Sequence, residues 1–494
     1  MIFLTRILCL TGSGCLLAFL MAASFAHAQQ SPSAYTFAKR YNFNGQITGT
    51  ISPDPDGSGP LPYPATRNTY NDRGLLTLVE TGYLTAWKDE TIKPSEWGSA
   101  FQVSQSQAYT YNSLGWKLTE TTIAKDGTLQ ALTQYSYDEY GRIECKAVRM
   151  NPVAFASPPS NACILGAAGI FGPDRITRYT YDHRDRVLEE RRAVGTPLEQ
   201  AYATYTYDRN GQRTTVTDAN RNTTKWDYDG FDRLEYWYFP SKTKGLGSHS
   251  STDYEQYSYD ANGNRLSLRK RDGKVIRYEY DNLNRMIRKL MPSGDRNVYY
   301  GYELRNLQTY SRFNSPTGPG ITTTYTGFGE VKTETTNVSG SSFTTSHLYD
   351  KNGQRERITH PDGIYFTYHY DGLNRINQLR ENGSSALIQH TYDIFARPQN
   401  LLTGASVTNT SFAYDVLSRV NSINYQLADT ADDLMLNFGY SPAGQIVNHD
   451  ISNTIYRYTG SGGKTGSYQI NGLNQYTGIA GQTVKHDANG NMTS

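Results

Sequence analysis

Carboxylate and amide side chains recur at short fixed spacing, which is the first requirement of an oxygen-donor metal loop. Asp260-Ala261-Asn262-Gly263-Asn264 and Asp487-Ala488-Asn489-Gly490-Asn491 both begin like a calcium loop. An EF-hand loop needs a bidentate acid at its twelfth position. Counting from Asp260, that position is Arg271, so a turn explains the pattern better than an ion does. The histidines do not cluster. His347, His390 and His486 stand in slots otherwise held by aromatic residues, and His369 is the middle residue of an aromatic pair. No His-x-x-x-His or Cys-x-x-Cys pair is present, so zinc is unsupported. Gly-x-Ser-x-Gly and a phosphate-binding Gly loop are absent as well. Carboxylates are numerous, but nothing sets one apart as an acid with a raised pKa. The sequence therefore assigns no catalytic, cofactor-binding or metal residue, and the protein reads as non-enzymatic.

The acidic residues belong to a repeat. Its clearest copy is Tyr278-Glu279-Tyr280-Asp281-Asn282-Leu283-Asn284-Arg285, and Tyr370-Asp371 with Arg375 is a near twin. Further copies are Tyr228-Asp229 with Arg233, Tyr392-Asp393 with Arg397, and Tyr414-Asp415 with Arg419. Three more carry a glycine: Tyr207-Asp208 with Gly211 and Arg213, Tyr259-Asp260 with Gly263 and Arg265, and Tyr349-Asp350 with Gly353 and Arg355. Asp208 to Asp229, Asp260 to Asp281 and Asp350 to Asp371 each span 21 residues; Asp371 to Asp393 and Asp393 to Asp415 span 22. A fixed short period is the signature of a repeat architecture.

Each copy reads as a β-hairpin. Alternate residues of a strand share a face, so the two rings of Tyr-x-Tyr lie together. Ile364, Phe366, Tyr368 and Tyr370 extend that stripe. Asp ends the strand because its side chain accepts bonds from N–H groups just ahead. The turn comes in two forms, with Arg four or five residues after Asp. In the first, the residue before Arg is Gly141, Asp185, Asp232, Asn284 or Asn374, types that tolerate positive φ. Ala396 and Ser418 are less comfortable there. The preceding apolar residue (Phe231, Leu283, Leu373, Phe395 or Leu417) reads as a plug folding back onto the aromatic stripe. In the second form Asn-Gly makes the tight turn. A second turn, such as Asp272-Gly273 or Asp362-Gly363, closes each unit. One hairpin is marginal alone, but stacked hairpins stabilise one another. The Asp–Arg pairs read as a ladder of ion pairs, with a row of arginines for anionic glycans as the alternative.

Residues 1–28 resemble a secretory signal, with Arg6, an apolar run to Ala23 and the small-x-small site Ala26-His27-Ala28. Export to the periplasm, the cell surface or the medium follows. Removing that segment leaves Cys145 and Cys163, a pair that favours a disulfide in an exported chain; two buried free thiols are the alternative. The bridge would pin an irregular insertion at about 143–175. Residues 29–65 are Pro, Gly and Ser-rich and read as a loosely attached leader, and 66–494 as the repeat array. The chain closes on the start of another repeat, which suggests an incomplete array. Lys+Arg 48 against Asp+Glu 46 gives no basic excess for nucleic acid. Mean hydropathy of −0.63 argues against a membrane-embedded body, and 40 Tyr against 17 Phe suit a sheet wet on one face.

The Tyr-Asp element, the Gly or Asn after it, and then Arg, at this period, resemble the YD-repeat (Rhs) family. Tyr468-Gln469-Ile470-Asn471-Gly472-Leu473-Asn474-Gln475-Tyr476 is similar to the segment near the end of such arrays. The resemblance covers about residues 66–494. It implies an all-β ribbon of hairpins spiralling into a hollow shell, as in bacterial Rhs proteins, toxin-complex C components and teneurins. Such shells enclose a C-terminal toxin or support cell–cell contact. The expected function is a scaffold for an enclosed toxin polypeptide, without its core and toxin domain. The alternative is a surface adhesin that binds cell-surface glycans through aromatic strips. No cofactor is implied.

Overall fold

The computed structural model describes residues 36–493, apart from 58, 385, 405–406, 429 and 458–465. The export signal read at residues 1–28 lies outside the described residues. The rest is all-β, with five single-turn 3₁₀ segments and no α-helix among the described residues. Thirty-two strands, from Ala38–Tyr41 to Ile446–Ile451, form one sheet. Each strand pairs antiparallel with the next in sequence, as Val275–Tyr280 does with Met286–Leu290. A second, three-stranded sheet comprises Tyr468–Ile470, Tyr476–Ile479 and Gln482–Thr483.

Register explains why the repeat survives sequence drift. Tyr280 faces Met286 and Glu279 faces Arg288, which leaves Ile287 as the extra residue of a β-bulge. The same shift falls just before Tyr207, Tyr228, Tyr259, Tyr349, Tyr370, Tyr392 and Tyr414. Every loop is thereby delivered to the same edge in the same orientation. The tyrosine stripe occupies one face, where Ile276 and Tyr278 are buried. Intervening positions face the other way and pair as hydroxyls: Thr110 with Thr119, Ser258 with Ser267, and Thr324 with Thr333, each at 2.6 Å. Such cross-strand pairs each contribute a few tenths of a kcal/mol up to ~1 kcal/mol. They suit a face open to water.

One region differs from the sequence reading. The leader at 29–65 is not loosely attached from residue 38 onward. Ala38–Tyr41 and Ile47–Ile51 are the first strands of the sheet, and Ile51 is wholly buried with Ala65, Leu84, Trp97 and Phe101. Pro53, Pro55, Pro60 and Pro62 fall between the strands Ile47–Ile51 and Tyr63–Tyr70, and Pro64 lies within the second of them. The insertion carries turns and one single-turn 3₁₀ segment between its flanking strands. It connects the paired strands Ile143–Val148 and Arg175–Tyr181, and Cys145, Ala147, Ala162, Ile176 and Val194 form a small core beneath it. Cys145 and Cys163 are joined, with Cα atoms 5.3 Å apart. Arg149, 4% exposed, bonds Asp174 at 2.6 Å, the carbonyls of Ile164 and Asn161, and Gln134 Oε1. Asp174 in turn accepts the N–H groups of Met150 and Gly166. A buried ion pair is tolerable only with its remaining bonds satisfied, and this one has them.

Contacts also join distant parts of the array. Arg375 reaches the Pro55 carbonyl at 3.2 Å. Gly472 donates its N–H to Lys242, Asn474 bonds Asp218 at 3.1 Å, and Asn489 bonds Asp272 at 3.0 Å. A methyl group on Gly472 would lie 2.0 Å from the Ser241 carbonyl oxygen, so only glycine fits that approach.

Candidate functional site: the Asp–Arg–Tyr ladder

The repeat loop is a five-residue turn built on the aspartate. At Asp281, Oδ1 accepts the N–H groups of Leu283 and Arg285 at 2.9 and 3.0 Å. Oδ2 accepts Arg285 Nε at 2.7 Å, while the Asp281 N–H donates to the Arg285 carbonyl. Asn284 takes φ 61°, where an amide side chain costs little. Asp229, Asp371, Asp393 and Asp415 make the same set with Arg233, Arg375, Arg397 and Arg419. Ala396 and Ser418 also adopt positive φ, at 63° and 61°. The loop imposes that conformation even where the side chain does not favour it.

The two turn forms of the sequence reading are one loop. Asp260 Oδ1 accepts the N–H groups of Asn262 and Asn264, and Oδ2 accepts the Asn264 amide at 2.8 Å. Asn264 thus holds the place of the arginine. Gln212 and Gln354 hold it after Asp208 and Asp350, where their N–H groups bond the aspartate. Gly211, Gly263 and Gly353 take the positive-φ position at 95°, 88° and 77°. The arginine five residues on is therefore not the partner of the aspartate. Arg213, Arg265 and Arg355 instead open the next strand, opposite Tyr207, Tyr259 and Tyr349. Arg213 lies over Tyr205 at 4.5 Å and Arg265 over Tyr278 at 4.8 Å.

The apolar plug also needs correcting. Phe231 and Leu283 are 81% and 69% exposed, whereas Leu373, Phe395 and Leu417 are half-buried. Phe231 and Leu283 turn outward, and Phe231 and Phe395 rest against their own Arg233 and Arg397.

What the sequence did not disclose is how successive repeats are fastened. Five loop arginines reach forward to a carbonyl of the next repeat, whereas Arg397 bonds the Ser418 hydroxyl and Arg375 the Pro55 carbonyl. Arg142, Arg186, Arg233, Arg285 and Arg419 donate to the carbonyls of Asp182, Asp208, Asp260, Glu303 and Ser441. Their guanidinium groups lie 4.4–4.8 Å from the rings of Tyr181, Tyr207, Tyr259, Tyr302 and Tyr440. Each of those tyrosines reaches backward: Tyr181 donates to the Ile143 carbonyl, Tyr207 to Val187, Tyr259 to Leu234, Tyr302 to Met286 and Tyr440 to Val420, at 2.6–2.9 Å, and Tyr280 and Tyr414 do the same to Arg265 and Pro398. Burial pushes the phenols of Tyr259, Tyr280, Tyr392 and Tyr414 above their ordinary pKa, so each stays a donor. Burial pulls Asp182 upward, but the N–H groups of Arg186 and Arg184 and the Arg186 guanidinium outweigh it and hold the carboxyl at about 2. The arginine thus serves three partners at once: its own aspartate, the next loop's carbonyl and the next tyrosine. A forward-reaching fork of this kind needs a planar, multi-donor cation. This is a structural use of charge, and it gathers no nucleophile or general base.

Residues 170–318 match the family model for the teneurin YD-shell. Over that stretch the repeats are similar to those of the teneurin YD-shell. Among solved structures, the chain of a TcdB2–TccC3–TEV crystal structure superposes with TM-score 0.63 at 12% identity, covering 92% of this chain and 25% of that one. TcdB2–TccC3 without its hypervariable C-terminal region gives 0.61 at 13% identity, with 92% and 23% covered. The Tc holotoxin pore of Photorhabdus luminescens gives 0.58 at 12% identity, with 91% and 24% covered. The repeat array therefore shares their fold and spans about a quarter of the length of those chains. No curated protein matches the sequence.

Proposed function

We propose that this YD-shell array is a wall segment of an exported container for a polypeptide, in the manner expected of toxin-enclosing shells. The observation that supports this most is the fastening itself. A sheet of 32 strands in strict sequence, stapled along one edge by arginine and tyrosine, is a stiff continuous wall. It spends the charges of its repeat loops on neighbours. The fold shared with TcdB2–TccC3 supports the same reading. The test is limited proteolysis of the protein as recovered from its own cells, followed by mass spectrometry. A container protects a second polypeptide while its wall is intact and exposes it once the wall is denatured. A preparation with no protected polypeptide would overturn the reading.

Export through residues 1–28 is part of the proposal, and intact mass tests it. A chain beginning at Gln29, recovered outside the cytoplasm, supports it; a chain retaining Met1 and found only inside cells refutes it.

A second reading has one observation in its favour. At Leu234–Pro240 aromatic rings occupy both faces of the sheet. Trp237 stacks on Phe239 at 4.6 Å on the stripe face, while Tyr236, Tyr238, Tyr254 and His249 cluster at 5.2–5.8 Å on the other. Aromatic clusters of this sort mark recognition surfaces. A glycan array would test the adhesin reading, and binding lost in Tyr238→Ala would support it.

A further inference from the structure

A cleft of about 350 Å³ opens where the insertion rejoins the sheet, between Pro173–Thr177 and the turn at 192–198. Its volume falls in the range of small-molecule sites. The floor and walls are apolar: buried Ile176, then Pro173, Ala193, Pro197 and the exposed Leu198. Two arginines stand at the rim. Arg192 binds Glu190 through Nε at 2.7 Å and lies flat on Tyr202. Arg175 is exposed, and among the described residues it makes no ion pair. The nearby carboxylates are occupied. Asp174 is held by Arg149 at 2.6 Å, and Glu199 by Arg191 at 3.6 Å and the Gly195 N–H at 2.8 Å. The rim is therefore cationic over an apolar floor.

From this we infer a binding site for an aliphatic monocarboxylate, with its chain on Ile176, Pro197 and Leu198 and its carboxylate at Arg175. The walls argue against a peptide. Peptide recognition along a strand relies on free main-chain groups. Here Pro173 and Pro197 have no N–H, and the turn's donors are used internally. Val194 donates to the Ile176 carbonyl, Thr196 to Ala193, Glu199 to Thr196, and Leu198 to Thr196 Oγ1. Those same bonds hold the cleft open in advance, which lowers the cost of binding. The Arg149–Asp174 network fixes the opposite wall. The site is independent of the container reading.

Calorimetric titration of the full chain with sodium octanoate tests it. The expected result is saturable one-site binding with Kd on the order of 1 mM, which about ten non-hydrogen atoms can supply. Arg175→Ala should weaken binding at least tenfold, and Leu198→Asp should abolish it. Both side chains are exposed, so unchanged melting curves would certify the fold. 1-Octanol should bind at least tenfold more weakly than octanoate. Absence of saturable heat, or equal binding by the wild-type chain and Arg175→Ala, would overturn the assignment. So would tighter binding of a leucine-terminated peptide carboxylate than of octanoate, since the occupant would then be a peptide.

Discussion

Replacing Arg419 isolates the ladder at one rung. Its Nε and Nη2 hold Asp415 at 2.7 and 2.6 Å, Nη1 reaches the Ser441 carbonyl at 3.2 Å, and the guanidinium lies 4.4 Å from the Tyr440 ring. The ion pair is about a quarter exposed, so screening limits it to ~0.5–1 kcal/mol. A charged donor on the carbonyl of buried Ser441 adds ~1.5 kcal/mol, and the cation–π contact ~0.5–1 kcal/mol. Arg419→Met keeps the apolar stem and forfeits all three, a loss of about 3 kcal/mol. Arg419→Lys keeps a charge but cannot serve three partners, and should forfeit about half. A repeat array need not melt as one unit, so local hydrogen exchange is the proper assay. Protection should fall on the order of 100-fold for Arg419→Met, a tenfold change being ~1.4 kcal/mol. The loss should be confined to Thr408–Tyr414, Val420–Gln426, Leu434–Tyr440 and Ile446–Ile451. Protection unchanged within twofold, or lost evenly over the whole sheet, would refute the rung-by-rung argument.

Three further outcomes follow from the same geometry. Gly263→Val should destabilise its loop by ~1–2 kcal/mol, because φ is 88° while the space around the missing Cβ is open. His369→Thr should change little, and thermal melts in the reverse order would contradict the register. Reducing the Cys145–Cys163 bridge, which closes a loop with a sequence separation of 18, should cost ~3 kcal/mol and raise proteolysis between Met150 and Asp174 first. His347 sits buried in a tyrosine slot, with neither ring nitrogen bonded. Burial, then Arg355, lowers its pKa below 6.5, and Glu334 opposes them only partly. Its contribution is therefore complete above pH 6.5 and fades as pH falls below that value, because the unfolded chain takes up the proton first. Urea midpoints at pH 7.5 and 5.0 should differ less in His347→Tyr than in the wild type; an equal difference would contradict the sign.

The hairpin unit and its aspartate turn were legible because they are local. A carboxylate that caps its own loop leaves a five-residue pattern, and period-two aromatics mark the strand before it. The partners across repeats were not legible, since Arg285 and Glu303 or Tyr280 and Arg265 meet only once strands are in register. Reading Arg265 as a displaced copy of Arg285 followed from the same limit. Asn264 and Gln212 supply N–H groups from the arginine's position, a substitution by function rather than by residue type. The leader misled through composition. Prolines such as Pro53 and Pro60 mark loops equally well when strands lie on either side. The small core under the insertion was not legible, because Ala147 and Ala162 pack it with little side chain to announce it.

Cryo-electron microscopy of the protein purified from its own cells tests the central claim most directly. An unbroken antiparallel wall is expected, with the arginine of each loop that carries one stacked on the next repeat's tyrosine, and density for a second polypeptide on the inner side. A wall whose loop arginines point into solvent, or one that encloses nothing, would contradict it.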